Sequence, residues 1–219
     1  MTATVFKLCY VIGLVAASII RKVYTKPYLQ KRAEVTRTEE SDRVLKFLPF
    51  FGMFLLPVLY LLTPWLDFAD YHLPGWTGWL GALLFAAAVW LLWRSHVDLG
   101  RNFSPELEIF EGHSLVTEGV YHRIRHPMYA AHWLWGIAQV LLLQNWIAGP
   151  SMLVTMLPLY LVRVPREERM LLEQFGESYR EYMRHTGRII RGLGEEPRSQ
   201  PADNTARGRR MKAHQRVLF

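Results

Sequence analysis

Apolar residues in this chain fall into long runs that are separated by short, strongly charged segments. A helix that spans a bilayer needs about 20 mainly apolar residues, within a range of about 17–25. Five runs approach that length and predict membrane helices at residues 2–20, 47–66, 76–93, 128–143 and 147–164. The last two are short and are joined by an uncharged turn, which indicates a helical hairpin. The pattern therefore predicts an all-α fold, a polytopic membrane helix bundle of about five transmembrane helices.

Tryptophans gather near the ends of these apolar runs, where the headgroups of a bilayer would lie. Trp65, Trp76, Trp79, Trp93 and Trp146 occupy such positions, as is typical of interfacial aromatic belts. In the first run the basic cluster follows the apolar stretch, whereas a cleaved signal peptide has its basic residues in front. We therefore interpret the first run as a membrane helix.

The distribution of charge predicts an orientation. Residues 21–46 carry eight Lys and Arg, the connection 65–76 carries none, and residues 94–125 are again basic. The hairpin turn is uncharged and the chain is basic after residue 162. Cytoplasmic loops are enriched in Lys and Arg, so we expect a multi-pass protein with its N-terminus outside and its C-terminus in the cytoplasm. The net charge of +7 then reflects topology and anionic lipid, and not nucleic acid.

The same pattern divides the chain into three parts. Residues 1–97 contain the first three membrane helices and a basic cytoplasmic loop. Residues 98–191 form the cytoplasmic, chemistry-bearing C-terminal part and include the hairpin 128–164. Residues 192–219 are basic, lack periodicity and predict a disordered tail. With a single cysteine, Cys9, the chain cannot build a disulfide or a thiolate metal site of its own, and we expect no metal.

Polar residues with chemical potential cluster where the predicted helices emerge at the cytoplasmic side. Pro127 suits the first turn of a helix, and the free N–H groups there, with Arg125, favour an anion such as an amino-acid carboxylate. Glu167 lies at the membrane exit of the last helix, where a carboxylate is costly unless it is paired or binds a ligand. Tyr121 and Tyr129 could pack against an adenine ring or attract a sulfonium.

Structural interpretations compete with each of these. Arg163 and Arg166 could be ordinary anchors at the cytoplasmic face, and Arg163 with Glu167 could be only an i,i+4 pair. His126 could merely cap its helix. The stripe Leu171, Phe175, Tyr179 and Tyr182 has the spacing of a packing face, and the polar face of the fourth helix is typical of contacts between helices. The residues alone predict a membrane protein with a cytoplasmic polar site and do not name a reaction.

Two motif blocks in a fixed order around a hairpin carry more information. The first block is Leu115-Val116-Thr117-x-Gly119-x-Tyr121 followed by Arg125-His126-Pro127-x-Tyr129. The second runs Arg163-x-x-x-Glu167-Glu168-x-x-Leu171-x-x-x-Phe175-Gly176-x-x-Tyr179-x-x-Tyr182. Together they resemble the isoprenylcysteine carboxyl methyltransferase family, whose broader relatives include phospholipid N-methyltransferases. The resemblance covers residues 98–191.

The resemblance implies an integral membrane enzyme that uses S-adenosyl-L-methionine as methyl donor. It places the cofactor at Glu106, His113, Ser114, Leu115, Val116, Tyr121, His126, Pro127, Met128, Tyr129 and Glu167. Arg163 falls where the family contacts the substrate carboxylate, so that Arg163 and Glu167 form the expected catalytic pair.

The implied reaction moves a methyl group to a membrane-associated acceptor, a carboxylate of isoprenylcysteine type or a similar lipophilic small molecule that enters from the bilayer. The sequence leaves open whether oxygen, nitrogen or sulfur is methylated. Two other functions remain as alternatives. One is an NADPH-dependent membrane reductase of the sterol type, which shares a similar terminal architecture, and the other is a non-catalytic membrane adaptor.

Overall fold

The computed structural model of the protein describes residues 2–25, 33–36, 45, 47–103, 108–110 and 114–190. Two of the expected cofactor residues, Glu106 and His113, lie outside the described residues. The expected tail, residues 192–219, and most of the basic loop, residues 21–46, also lie outside them.

Helices dominate the described part of the chain, and the prediction of a helical bundle is confirmed. They are α1 Thr2–Thr25, α2 Phe47–Leu62, α3 Gly75–Leu99, α4 Pro127–Leu143, α5 Ser151–Phe175 and α6 Glu177–His185. Within α2 the stretch Phe51–Leu55 has π-helical hydrogen bonding. Short 3-10 turns cover Pro64–Ala69, Gly100–Asn102 and Gly119–His122.

A small β-sheet departs from the all-α prediction. Strand β1, Ala33–Thr36, pairs antiparallel with strand β2, Glu108–Phe110. Ala33 lies opposite Phe110 and Thr36 opposite Glu108. The two strands are far apart in sequence, so neither a local alternation of apolar and polar residues nor a turn motif could predict their pairing.

Two of the helices are long and apolar enough to cross a bilayer, Thr4–Thr25 and Gly75–Leu99. The shorter helix Phe47–Leu62 is also apolar. Near the two ends of α3, Trp76 and Trp93 are both exposed. At a rise of about 1.5 Å per residue they lie roughly 26 Å apart, close to the hydrocarbon thickness of a bilayer, about 30 Å.

Ring contacts show how the helices run relative to one another. Phe6 meets Trp79 near the start of α1 and α3, and Tyr24 meets His96 near their ends, so these two helices are parallel. The α4 helix packs antiparallel to α3, with Trp135 against Phe85. The α5 helix returns antiparallel to α4, with Leu153 near Gly136 and Tyr160 near Tyr129.

The bundle therefore has two distinct ends. At the hairpin end, the turn of residues 144–150 packs on the connection of residues 64–74, and the backbone of Trp146 donates to the Ala69 carbonyl. Neither segment contains Lys or Arg. At the cavity end, α1, α3 and α5 finish, α4 begins and α6 closes over them. The described arginines of the second half of the chain, at residues 123–188, lie at this end, and so does the candidate functional site.

The α5 helix is longer than its apolar run predicts. The sequence places the end of the membrane segment at residue 164, but α5 continues without interruption through Pro158 and Pro165 to Phe175. It stops at Gly176, whose φ of +55° and ψ of −123° only glycine adopts readily. The turn at Gly176 directs α6 back across the end of the bundle.

Candidate active site

One cavity of about 430 Å³ lies at the cavity end of the bundle. Every helix contributes to its wall. The main contributions come from the last turn of α3, the first turn of α4 and the second half of α5, while Tyr179 and Tyr182 of α6 close one side. Because α3, α4 and α5 meet at their ends here, polar residues excluded from the apolar runs converge on one space.

The turn that precedes α4 is fixed by the segment after α6. The backbone N–H groups of Arg125 and His126 donate to the carbonyls of Gly187 and Arg188, each at 2.8 Å. The Arg125 side chain adds bonds to the Met183 and Thr186 carbonyls. These contacts join residues about 60 positions apart, and they hold the first turn of α4 in the cavity wall.

A buried carboxylate, that of Glu168, organises the charged residues behind this turn. Its oxygens lie 3.2 Å from Arg125 Nε, 3.3 Å from His126 Nε2 and 2.9 Å from Arg188 Nη2. Burial raises the pKa of Glu168, but the hydrogen bonds with His126 and Arg188 outweigh burial and lower the pKa to about 2. Glu168 is therefore an anion that anchors two arginines and a histidine, and it does not line the cavity.

The neighbouring carboxylate, Glu167, faces the cavity instead. Its Oε1 lies 3.8 Å from His126 Nδ1 and its Oε2 accepts a long hydrogen bond of 3.4 Å from the Tyr129 hydroxyl. The His126 ring thus lies between two carboxylates, with Glu168 the nearer. Glu167 keeps part of its surface exposed, 29% of the side chain, and so can accept a hydrogen bond from a bound molecule.

The opposite wall is formed by the segments that follow α3. Asp98 accepts a hydrogen bond from the backbone N–H of Val120 at 2.9 Å and is paired with Arg94. Asn102 accepts from the Ser114 N–H at 2.9 Å. These bonds bring the stretch that begins at Ser114 against the end of α3. Burial, and then the nearby Glu167 carboxylate, raise the pKa of Tyr121, so that its ring stays neutral in the wall.

The side of the cavity that faces α1 and α2 combines arginines with apolar residues. Arg163 of α5 is buried, and Arg21 of α1 lines the same cavity. Apolar lining continues toward the middle of the bundle through Phe50, Met53 and Met156. This part of the wall suits a molecule with an anionic head and an apolar tail.

Most of the site residues expected from the sequence surround this one cavity. Those that line it are Ser114, Leu115, Val116, Tyr121, His126, Pro127, Met128, Tyr129, Arg163 and Glu167. The i,i+4 alternative for Arg163 and Glu167 does not exclude a site, because both residues line the space. The stripe expected only to pack also lines it, through Leu171, Phe175, Tyr179 and Tyr182.

The sequence did not single out two residues of the site, Arg21 and His96, which line the cavity. Tyr179 of the second motif block also lines it, and Glu168 of the same block fixes the turn behind it. Two buried polar atoms at the site, Arg125 Nη2 and Tyr179 Oη, have no hydrogen-bond partner among the described residues. Such atoms indicate where a bound molecule could form hydrogen bonds. Tyr179 is 1% exposed, and burial raises the pKa of its hydroxyl, so that it remains a hydrogen-bond donor.

Comparison with known proteins agrees with this geometry. Residues 79–173, which cover most of α3, α4 and α5, match the model of the isoprenylcysteine carboxyl methyltransferase (ICMT) family. The predicted family resemblance is confirmed. The matching segment contains both motif blocks up to Leu171 and therefore most of the cavity wall.

Named relatives are similar to the same part of the chain. Protein-S-isoprenylcysteine O-methyltransferase B of Arabidopsis thaliana is 36% identical over 88 residues, which are 39% of this chain and 45% of the relative. Enzyme A of that plant is 29% identical over 130 residues, 58% of this chain and 66% of the relative. The Homo sapiens protein-S-isoprenylcysteine O-methyltransferase is 31% identical over 141 residues, 60% of this chain and 49% of the relative.

A solved structure shares the fold. The structure of the eukaryotic intramembrane Ras methyltransferase ICMT aligns with a TM-score of 0.53 and 22% identity, over 87% of this chain and 64% of that chain. The chain thus spans between about half and two thirds of the length of these four proteins. These matches favour a methyltransferase over the reductase alternative.

Proposed function

We propose that the protein is an integral membrane methyltransferase that moves a methyl group from S-adenosyl-L-methionine to a lipophilic acceptor, a carboxylate of isoprenylcysteine type or a close analogue. One observation carries the proposal. The two motif blocks shared with the family meet around a single cavity, in which Glu167 faces the first turn of α4.

The residues of the cavity fit the amino-acid end of the methyl donor. That end carries an ammonium and a carboxylate. Glu167 is an exposed acceptor for the ammonium, and Tyr129 orients its carboxylate. Arg125 Nη2 and Tyr179 Oη are buried donors without a hydrogen-bond partner among the described residues, next to the N-terminus of α4. Buried polar groups normally have partners, so these two atoms suit the carboxylate of the donor.

The rest of the cofactor would be held by side chains with little charge. Leu115, Val116 and Met128 offer apolar contacts for an adenine, and the Tyr121 ring is suited to stack on it or to face the sulfonium. Ser114 supplies a hydroxyl at the rim. Glu106 and His113 complete the proposed set by family resemblance.

The acceptor would occupy the side of Arg163. A guanidinium matches a carboxylate with two parallel hydrogen bonds, and the apolar residues beyond it would hold an isoprenoid chain. An acceptor carboxylate needs no general base near neutral pH, because its unperturbed pKa is about 4. The proposal therefore assigns acceptor orientation to Arg163 and cofactor binding to Glu167.

When bound, S-adenosylmethionine supplies a methyl group that is already activated by its sulfonium. The protein then has to align the acceptor with the methyl group, exclude water from the site and release the products. Arg163 would hold the carboxylate oxygen in line with the methyl group, and fixed orientation of two reactants contributes up to about 7–11 kcal/mol to such reactions. Tyr179, Tyr182 and Phe175 would cover the site and exclude water. The Glu168 cluster would keep the α4 turn in position.

The proposal includes a topology. All five helices α1–α5 would cross the bilayer, with the cavity end in the cytoplasm and the N-terminus outside. The hairpin end without Lys or Arg and the basic cavity end support that orientation under the positive-inside rule. Exposed Trp65 and Trp146 at the hairpin end suit the outer interface.

Methyl transfer can be measured directly. The purified full chain in detergent would be incubated with methyl-labelled S-adenosylmethionine and N-acetyl-S-farnesylcysteine. We expect label in the organic phase that mild base releases as methanol, as for a methyl ester. The carboxamide of the same compound should take up no label, because it lacks the anionic carboxylate that accepts the methyl group.

Ligand binding separates the alternatives. The methyltransferase proposal expects S-adenosylhomocysteine to raise the melting temperature of the protein, with no effect of NADPH. A shift with NADPH alone would favour the reductase, and no shift with either ligand would favour an adaptor. Labelled product that resists base would contradict ester formation.

A further inference from the structure

Arg21 belongs to the cavity although it lies outside residues 79–173. It is near the end of α1, and its side chain lines the cavity together with Arg163 of α5. Its Nη1 lies 3.3 Å from His132 Nε2 on α4. Helices α1 and α4 thus meet at this guanidinium.

The His132 ring is set up to hold Arg21. His132 Nδ1 lies 2.6 Å from the Met128 carbonyl, which can only accept, so Nδ1 must carry the proton of this hydrogen bond. In the neutral ring, Nε2 then presents a lone pair to the Arg21 N–H. The arrangement fixes the direction of the guanidinium, which carries further N–H donors.

Positive charge is concentrated on this wall. Arg21 and Arg163 place two guanidinium groups beside the same cavity. Among the described residues that line the cavity, Glu167 is the single acidic one, and its carboxylate contacts His126 and Tyr129. An anion bound in the cavity would be attracted by both guanidinium groups.

We propose that Arg21 is a second acceptor-binding arginine, which together with Arg163 clamps the carboxylate of the acceptor from two helices. This inference rests on the proposed function. The proposed clamp makes α1 part of the site. It also predicts that the enzyme binds an acid more tightly than the isosteric amide. His132 acts as a positioning residue through Arg21.

The test compares binding of the acid and the amide. N-acetyl-S-farnesylcysteine and its carboxamide would be used as competing ligands against wild type, Arg21→Met, Arg21→Lys and Lys22→Met. Lys22 is the matched control, because it is the next residue of α1, carries the same charge and is exposed without lining the cavity. S-adenosylhomocysteine affinity would be measured for each protein as a check on folding.

We expect wild type to prefer the acid and Arg21→Met to lose about tenfold or more in acid affinity, a typical effect for a hydrogen bond to a charged group. Its amide affinity and its S-adenosylhomocysteine affinity should stay within about twofold of wild type. Arg21→Lys should recover part of the preference, since it keeps the charge without the planar fork. Lys22→Met should behave as wild type.

Two results would overturn the inference. One is an unchanged preference of Arg21→Met for the acid. The other is a parallel loss of acid, amide and S-adenosylhomocysteine binding, which would give Arg21 a purely structural role. Either result leaves the proposed function standing if wild type still forms the base-labile methyl ester. If wild type forms no ester, the proposed function itself fails.

Discussion

The two ends of the bundle use buried polar groups in opposite ways. At the hairpin end Asn145 donates to the Leu66 carbonyl and to Asp70, and it accepts from the backbone of Ile147 and Ala148. At the cavity end a buried charge, Glu168, holds Arg125, His126 and Arg188. At the hairpin end, the neutral Asn145 amide, with all its hydrogen bonds formed, stabilises the turn. A charged cluster costs more desolvation, and it leaves Arg125 Nη2 and Tyr179 Oη without partners among the described residues.

This difference separates the part of the bundle that stabilises the fold from the part that contains the candidate site. The middle of the bundle resembles the hairpin end, because its buried amide is also fully hydrogen-bonded. Gln139 donates to Gly52, Ala148 and Ser151 and accepts from Tyr10. Both polar atoms of Gln139 therefore have hydrogen-bond partners within the fold. The cavity end instead holds a partly exposed carboxylate, two buried donors without partners among the described residues, and two arginines around one space.

The largest effect should follow loss of the charge that organises the cavity end. Glu168→Gln leaves buried cationic partners poorly compensated, and breaking a buried pair typically costs about 3 kcal/mol or more. For a chain of this size we expect the melting temperature to fall by about 9 °C. Thermal unfolding in detergent checks this, with Glu181→Gln as control. Glu181 is paired on the exposed face of α6, and its loss should leave the melting temperature unchanged.

The same carboxylate predicts a pH dependence. Its pKa is about 2 in the folded protein and near 4.5 when unfolded, so its contribution is present above the unfolded value. Stability should therefore fall as the pH drops from about 4.5 toward 2. Glu168→Gln should flatten this part of the profile. A profile that is identical in the variant would show that Glu168 is not the titrating group.

The second effect concerns acceptor orientation. Arg163→Met should lower kcat/KM for the isoprenylcysteine acid by about 100-fold, since a hydrogen bond to a charged group contributes about 1.5–3 kcal/mol. The affinity for S-adenosylhomocysteine should change little. Arg166→Met, one turn further along α5 and outside the cavity lining, is the matched control. Equal losses of turnover and of cofactor affinity would refute the assignment of Arg163 to the acceptor.

The third effect tests the hairpin end. Asn145→Ala removes an amide from several buried partners and should destabilise the protein by about 2 kcal/mol. Below the transition temperature, kcat/KM and S-adenosylhomocysteine affinity should stay within about twofold of wild type. Stability and catalysis would be measured on one preparation. A large catalytic defect in folded Asn145→Ala would erase the distinction between the two ends.

The smallest effect concerns the turn between α5 and α6. Gly176→Ala places a side chain at a φ of +55° and should cost about 1–2 kcal/mol. Gly75→Ala is the matched control, because a Cβ there meets no atom within 4 Å and its φ is not positive. Denaturation midpoints would be compared. Equal midpoints would show that the position of α6 does not depend on this turn.

Local patterns predicted the helices well, because apolar runs of this length leave few alternatives. They set the end of the last membrane segment at residue 164, whereas α5 extends to Phe175. A proline inside a helix removes one hydrogen bond, and the packing of α5 in the cavity wall outweighs that loss. The strands β1 and β2 were missed because their pairing is not local.

The site divides in the same manner. Motif residues such as His126 and Glu167 could be predicted, since the family resemblance supplies their positions. Tyr179 was expected only to pack, and Arg21 was not expected at the site, because their places depend on how α6 and α1 pack against the hairpin. Whether all five helices cross the bilayer stays a prediction.

Titration calorimetry with S-adenosylhomocysteine tests the central claim most directly, namely that the cavity end grips the methyl donor through Glu167. Wild type should bind one ligand per chain. Glu167→Gln should weaken binding by about tenfold or more, and Asn145→Ala should bind as wild type. Wild-type affinity in Glu167→Gln, or no binding to the wild-type protein, would contradict the claim.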